Sequence, residues 1–184
     1  VPVFTVVMTS FVSEAEIARR GTFIIIPEKF DFSAYKMLLA SGKNIARANG
    51  NTLFRVVIGT ALNRVFTITL SYGLSREGLK GRTFLTGFVF FTMLFSGGMI
   101  PTFILVKGVG LIDSRWAMVL PCLINTWNLL IMRNFFYGIP KSLEEAAVID
   151  GANDAQVLVK IVLPLSKASI ATIGLFYAVS HWNA

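Results

Sequence analysis

Few side chains in this sequence stand where covalent chemistry would need them. There is one histidine, His181, with no Cys, Asp or Glu near it in sequence. Packing or a hydrogen bond is therefore its expected role, rather than metal ligation or proton relay. There is one cysteine, Cys122, which excludes an intrachain disulfide and reads as a small packing residue. Gly42-Lys43-Asn44 lacks both the first glycine and the Ser or Thr of a phosphate-cradling loop. No nucleophile-base pair stands out either. No cofactor or metal is therefore expected in this chain. What remains is a composite spacing, in which Glu145-Ala146-Ala147 is followed after three residues by Gly151 and, after nine more, by Ile161-Val162-Leu163-Pro164.

The elements around that pattern should form a knuckle of two short helices. Pro140 followed by Ser142-Leu143-Glu144-Glu145 predicts a capping box, with Ser142 as N-cap and Glu145 reaching back to it. The first helix is expected from Leu143 to about Asp150. Gly151 then supplies the left-handed conformation that ends helices, and Asn153 caps a second helix. Val157, Ile161 and Leu165 recur every four residues and predict one apolar stripe. Pro164 should bend that helix or end its regular hydrogen bonding.

The surroundings of the knuckle read as membrane. Charged residues make up 15% of the chain, against about 25% in soluble domains, and the mean hydropathy is +0.68. Residues 83–106 are 24 consecutive uncharged positions, enough for a helix to span a hydrocarbon layer of ~30 Å. Residues 116–132 and 168–184 are uncharged runs of 17 each. The sequence predicts an all-α polytopic domain over 1–184 with about five transmembrane segments: roughly Val1–Val12, Leu53–Leu74, Phe84–Val106, Trp116–Phe136 and Ala168 onward. Residues 13–52 are expected as an external loop holding a short helix from Ser33, and residues 138–167 as the knuckle. Apolar runs at both ends have no cap or closing signal, so an internal piece of a longer protein is expected. Of the two shortest loops, Ser75–Thr83 holds three basic residues and Lys107–Arg115 two, which favours a cytoplasmic side for the former. A net charge of +7 comes from scattered positions, so no nucleic-acid stripe is formed.

The composite spacing, placed before a membrane segment, resembles the EAA loop of permease subunits in binding-protein-dependent ABC importers. Asn51-Thr52-Leu53, Ile100-Pro101 and His181-Trp182-Asn183 extend the likeness over almost the whole chain, and Phe95-Ser96-Gly97-Gly98-Met99-Ile100-Pro101 most resembles the carbohydrate branch, of the MalG and LplC kind. The resemblance implies a type I importer helical bundle in a bacterial plasma (inner) membrane. It also implies a sugar or oligosaccharide substrate, a second permease subunit, an extracellular or periplasmic sugar-binding protein, and a cytoplasmic ATPase dimer that binds ATP and Mg. A sixth span belongs to that family pattern. The carried-over coupling residues are Glu145, Ala146, Ala147, Asp150, Gly151, Ala152, Ile161, Leu163 and Pro164. Glu145 also has a purely local reading as the capping carboxylate, and the two roles are compatible.

Candidates for the substrate path come from polar and helix-breaking residues inside the spans. Arg64 lies near mid-span, where a translocon-type scale sets a cost of roughly 2.5–3.5 kcal/mol. It is expected to face the bundle interior, towards backbone carbonyls, a partner's acid or an anionic substrate. Gly97 and Gly98 with Pro101 should break the third span, which is tolerated where a cavity or neighbour satisfies the backbone. Asn125, Trp127 and Asn128 could contact sugar, although interhelical packing is the commoner use of such groups. Trp116 and Tyr137 read as interfacial anchors. A self-sufficient secondary transporter or channel is the alternative class. It would be expected to show repeats or intramembrane acid and base pairs, and no Asp or Glu falls inside the predicted spans.

Overall fold

The computed structural model describes residues 2–21, 23–40 and 42–184. All regular structure among those residues is helical, as the sequence predicts. The chain divides into two compact units, Val1–Gly50 and Asn51–Ala184.

The first unit begins with α1 (Pro2–Thr9) and α2 (Glu14–Arg20). The Ser13 hydroxyl caps α2 by accepting the Glu16 N–H at 3.3 Å. Gly21, at φ +81°, closes it. The buried Glu16 carboxylate accepts from Arg20 at 2.8 Å and from the Glu28 N–H at 3.0 Å. A buried charge of this kind is tolerated because it is paired and hydrogen-bonded. Phe11, Phe30, Phe32 and Tyr35 form an aromatic cluster. The helix predicted from Ser33 is α3 (Ser33–Ala40), and the Asp31 carboxylate accepts the Ser33 N–H at 2.8 Å. Residues 13–52 thus carry more helix than the single short one expected, since α2 precedes α3 and α4 (Gly42–Phe54) follows it.

A π turn, Arg55–Gly59, joins α4 to α5 (Thr60–Ser75). The whole run Gly42–Ser75, 34 residues, is the described helix long and apolar enough to cross a membrane. In the second unit α5 packs against α8 (Thr126–Tyr137) and α12 (Lys167–Trp182). Tyr72, Met132, Phe136, Ile170, Ile173 and Tyr177 form their core, which Val157 and Val162 complete from the knuckle.

Above that core α5 and α12 are joined by polar rungs. Asn63 Nδ2 donates to the Cys122 carbonyl at 3.2 Å and lies 3.2 Å from His181 Nε2. The Thr67 and Tyr177 hydroxyls are 2.7 Å apart, and the Tyr177 oxygen accepts the Asn125 N–H at 3.2 Å. Buried polar groups paired in this way fix which helix faces meet. His181 is buried in this ladder, the packing role expected of it.

Three of the expected segments have a different form. The first contains only the eight residues of α1, about 12 Å of helix at 1.5 Å per residue. The third is two helices, α6 (Arg82–Leu94) and α7 (Met99–Gly108), bent by 117°. Gly98 turns the chain there at φ +85°, a conformation that costs other residues strain. The fourth is helical only over α8, because 3₁₀ turns at Arg115–Met118 and Leu120–Cys122 precede it and the Asn125 side chain caps it anew. Counting each bent pair as one span, up to three helical stretches among the described residues are long and apolar enough to cross a membrane; α1 and α8, within the first and fourth expected segments, are shorter than that.

Candidate functional site

The knuckle is built from α9 (Lys141–Ile149), α10 (Asp154–Val157), a π turn (Leu158–Val162) and α11 (Leu163–Leu165). Pro140, with φ −58° preset by its ring, opens α9 two residues earlier than predicted and offers no side-chain cap. Ser142 is consequently already helical, and the expected capping box with Glu145 does not form. The other end matches its expectation. Gly151, at φ +83°, donates its N–H to the Val148 carbonyl at 3.0 Å, while Ala152 donates to Ala147 at 2.9 Å. This pair of bonds is a Schellman closure. Asn153 then caps α10, its Oδ1 accepting from the Gln156 N–H at 2.9 Å and the Gln156 Oε1 accepting from the Asn153 N–H at 3.0 Å.

The apolar stripe is displaced by one residue. Val157 and Val162 are both fully buried, Ile161 is half-buried and Leu165 is exposed. The reason is the π turn between them, whose wider i→i+5 bonding brings Val162 rather than Ile161 beneath Val157. Pro164 lacks the N–H that would continue the ladder. The run Asp154–Leu165 then meets α12 at 84°.

One side of the knuckle rests on the bundle and the other is open. Ala147, Ala152, Leu158 and Leu163 pack against the core. Glu145, Ala146, Asp150 and Pro164 are exposed, and Ile149 is 85% exposed at the end of α9. An isoleucine so exposed beside an exposed Val148 is an apolar tip that no described residue covers. A groove of about 1000 Å³ runs beside it, lined among others by Tyr72, Arg76, Tyr137, Lys141 and Glu145.

Arg76 was not expected to belong here. One guanidinium nitrogen donates to Glu144 on α9, and the other donates to Asp154 on α10 at 2.8 Å. The guanidinium also lies over the Tyr72 ring, 5.0 Å from its centroid, and the Tyr72 hydroxyl donates to the Asp154 carbonyl at 3.4 Å. Lys141 donates to Glu77 at 2.6 Å, holding that carboxyl below its usual range. In the sequence Arg76 is one basic residue of a short turn. Its partners lie 68 and 78 positions away, and only the weak sign of acids on both sides of Gly151 hints at them.

The substrate-path candidates are not gathered in one place. Arg64 lies against Gly174 and lines a groove of about 540 Å³ with Val65, Ile68, Leu163, Pro164 and Lys167. Among the described residues no acid pairs with it. Asn125 spends its side chain on the Asn128 N–H at 3.0 Å, Asn128 is buried, and Trp127 is exposed. Gly97 and Gly98 are exposed at the α6–α7 break.

The family described as binding-protein-dependent transport system inner membrane component matches residues 65–184. Protein LplC of Bacillus subtilis (strain 168) is 47% identical over 182 residues, 99% of this chain and 61% of LplC. The polygalacturonan/rhamnogalacturonan transport system permease protein YtcP of the same strain is 50% identical over 182 residues, 99% of this chain and 63% of YtcP. The chain therefore spans less than two thirds of the length of either relative. Among solved structures, a chain of a bacterial ABC transporter involved in the import of the acidic polysaccharide alginate superposes with a TM-score of 0.91 at 37% identity. That match covers all of this chain and 65% of the other.

Proposed function

The chain belongs to the family of binding-protein-dependent transport system inner membrane components, and from that premise we propose that it is one permease half of an ATP-driven importer for an acidic oligosaccharide. It lies in a bacterial inner membrane and forms its translocation path together with a second permease. An extracellular or periplasmic binding protein delivers the sugar, and a cytoplasmic ATPase dimer, which holds the ATP and Mg, drives the cycle. The carrying observation is the knuckle, seated on α5, α8 and α12 by its apolar inner side and presenting Ile149, Glu145 and Ala146 outward. A short rigid element of this shape suits insertion into a partner that moves. The secondary-transporter reading lacks support of comparable weight, because intramembrane acids for ion coupling are missing from the predicted spans.

An acidic substrate is supported by two things. YtcP and the alginate transporter are named for uronate-containing polymers, and Arg64 lines a mainly apolar groove and has no acid paired with it among the described residues. Purification of the full-length tagged protein should bring down an ATPase and a second permease, and isolation as a functional homomer would reject the proposal. Across a panel of neutral and uronate oligosaccharides, uptake should favour the uronates. Arg64→Gln should lower uronate uptake about tenfold, roughly the 1.4 kcal/mol of one lost charged contact, with assembly intact. Uptake unaffected by Arg64→Gln removes Arg64 from the path.

The side of the membrane can be tested at the Arg76–Arg82 turn, which we place in the cytoplasm with the knuckle. A cysteine at Gly78, an exposed position, should resist an impermeant thiol reagent in intact cells and react after permeabilisation. Labelling from outside would put the knuckle out of reach of any ATPase.

A further inference from the structure

We propose that Arg76 is the positioning residue that joins both limbs of the knuckle to α5, so that displacement of the knuckle is delivered to α5 as a rigid-body movement. The inference rests on the reading of this segment as the ATPase-coupling element. Its observations are independent of that reading.

Gly151 divides the knuckle into two limbs, and a glycine at φ +83° closed by only two backbone bonds leaves a pivot between them. Glu144 lies on the limb before Gly151 and Asp154 on the limb after it. One guanidinium holds both carboxylates, bracing the two limbs across the pivot. Arginine suits this task because its donors form a fixed planar fork, whereas an ammonium is a single point charge. The Arg76 and Glu144 side chains are 26% and 20% exposed, while Asp154 is 82% exposed. The Glu144 arm is thus shielded from solvent screening, and the Asp154 arm is weak on its own. Tyr72 supplies what the exposed arm lacks, since its ring supports the guanidinium and its hydroxyl binds the same residue's backbone.

The anchor point gives the brace its reach. Arg76 stands immediately after α5, its N–H bonded to the Gly73 carbonyl, and Tyr72 is buried in the core. The same helix carries Thr67 and Asn63, the rungs to α12, and Arg64 between them. A push on the knuckle is therefore received by the helix whose polar side faces the rest of the bundle. Without the fork, the knuckle would turn about Gly151 and slide on an apolar contact, which has little directional preference.

The test uses the assembled transporter with its ATPase. In Arg76→Gln, stimulation of ATP hydrolysis by the sugar-loaded binding protein should fall about tenfold, within the range set by a coupling free energy between two sites. The amount of ATPase retained on purification should not change. Arg76→Lys should give an intermediate loss. The exchange Arg76→Glu with Glu144→Arg should recover a large part of the stimulation, which a merely structural loss would not do. Stimulation within twofold of normal in Arg76→Gln overturns the inference, as does a loss that the exchange does not repair. Loss of the ATPase itself in Arg76→Gln also overturns it, because Arg76 would then shape the docking surface instead of transmitting movement. Ile149→Lys separates the two claims: if it abolishes stimulation while Arg76→Gln does not, the coupling reading stands and the brace falls. If neither variant has an effect, both fall.

Discussion

Gly59→Ala is expected to lower the melting temperature of the purified complex more than any other glycine-to-alanine change in the α5 region. A β-carbon at Gly59 would stand 2.8 Å from His181 Nε2 and within 3.2 Å of two further ring atoms. The imidazole has nowhere to retreat, being buried and held by Asn63. Overpacking of this kind costs about 1–3 kcal/mol. It exceeds the gain of up to about 1 kcal/mol that alanine brings to a helix over glycine. Gly73 supplies the control, because a β-carbon there meets nothing within 4 Å. Gly73→Ala should be neutral or mildly stabilising by the same propensity. Equal melting of the two variants would show that the ring can move and that the α5–α12 contact is looser than described.

The second large effect is expected at Gly151, where no side chain crowds the site and the whole penalty lies in the backbone. At φ +83° a residue with a β-carbon is strained by roughly 1–2 kcal/mol, and a β-branched one by more. Asparagine tolerates this region better than most. Stimulated ATP hydrolysis should therefore rank Gly151→Asn near normal, Gly151→Ala lower and Gly151→Val lowest, with membrane insertion and pairing to the second permease unchanged throughout. Insertion is spared because the strain acts on the knuckle and not on α5, α8 or α12. An equal loss in Asn and Val variants would mean that glycine serves here for close approach of a partner rather than for its dihedral angle. Full activity in all three would refute the mechanical role of the segment.

What could be read from the sequence was local. The turn at Gly151, the cap at Asn153 and the break beside Gly98 each follow from one or two residues whose conformational preferences are strong. The failures occurred where a neighbour far away in sequence decides or where two local signals compete. The π turn at Leu158–Val162, which exchanges Ile161 for Val162 beneath Val157, has no local signature. Burial against Tyr72 and Phe136 selects it, and a four-residue periodicity cannot anticipate it. The Ser142 cap failed because two start signals overlapped and proline took precedence. The fourth apolar run is continuous in hydropathy, yet Pro121 and the Asn125 cap divide it. Length and hydropathy alone therefore could not show where the regular helix within that run begins. Of the candidate site, the Gly151 pivot was legible and the Arg76 brace was not, since an ion pair across 68 residues leaves no spacing to read.

The α6–α7 arm has a consequence for the life history of the protein. α6 is fastened to α8 by the Thr92–Thr126 contact at 3.2 Å and by Arg82 over Tyr137. α7 is apolar yet has no buried residue, and Met99 and Ile100 are 85% and 70% exposed. Its ten residues leave the ribosome before α8 and α12, the helices that build the core with α5, have been made. For that interval its apolar side chains have no packed core to join. If the second permease proposed above is what covers this arm, the abundance of the protein in a cell should follow the synthesis of that subunit more closely than that of its own message.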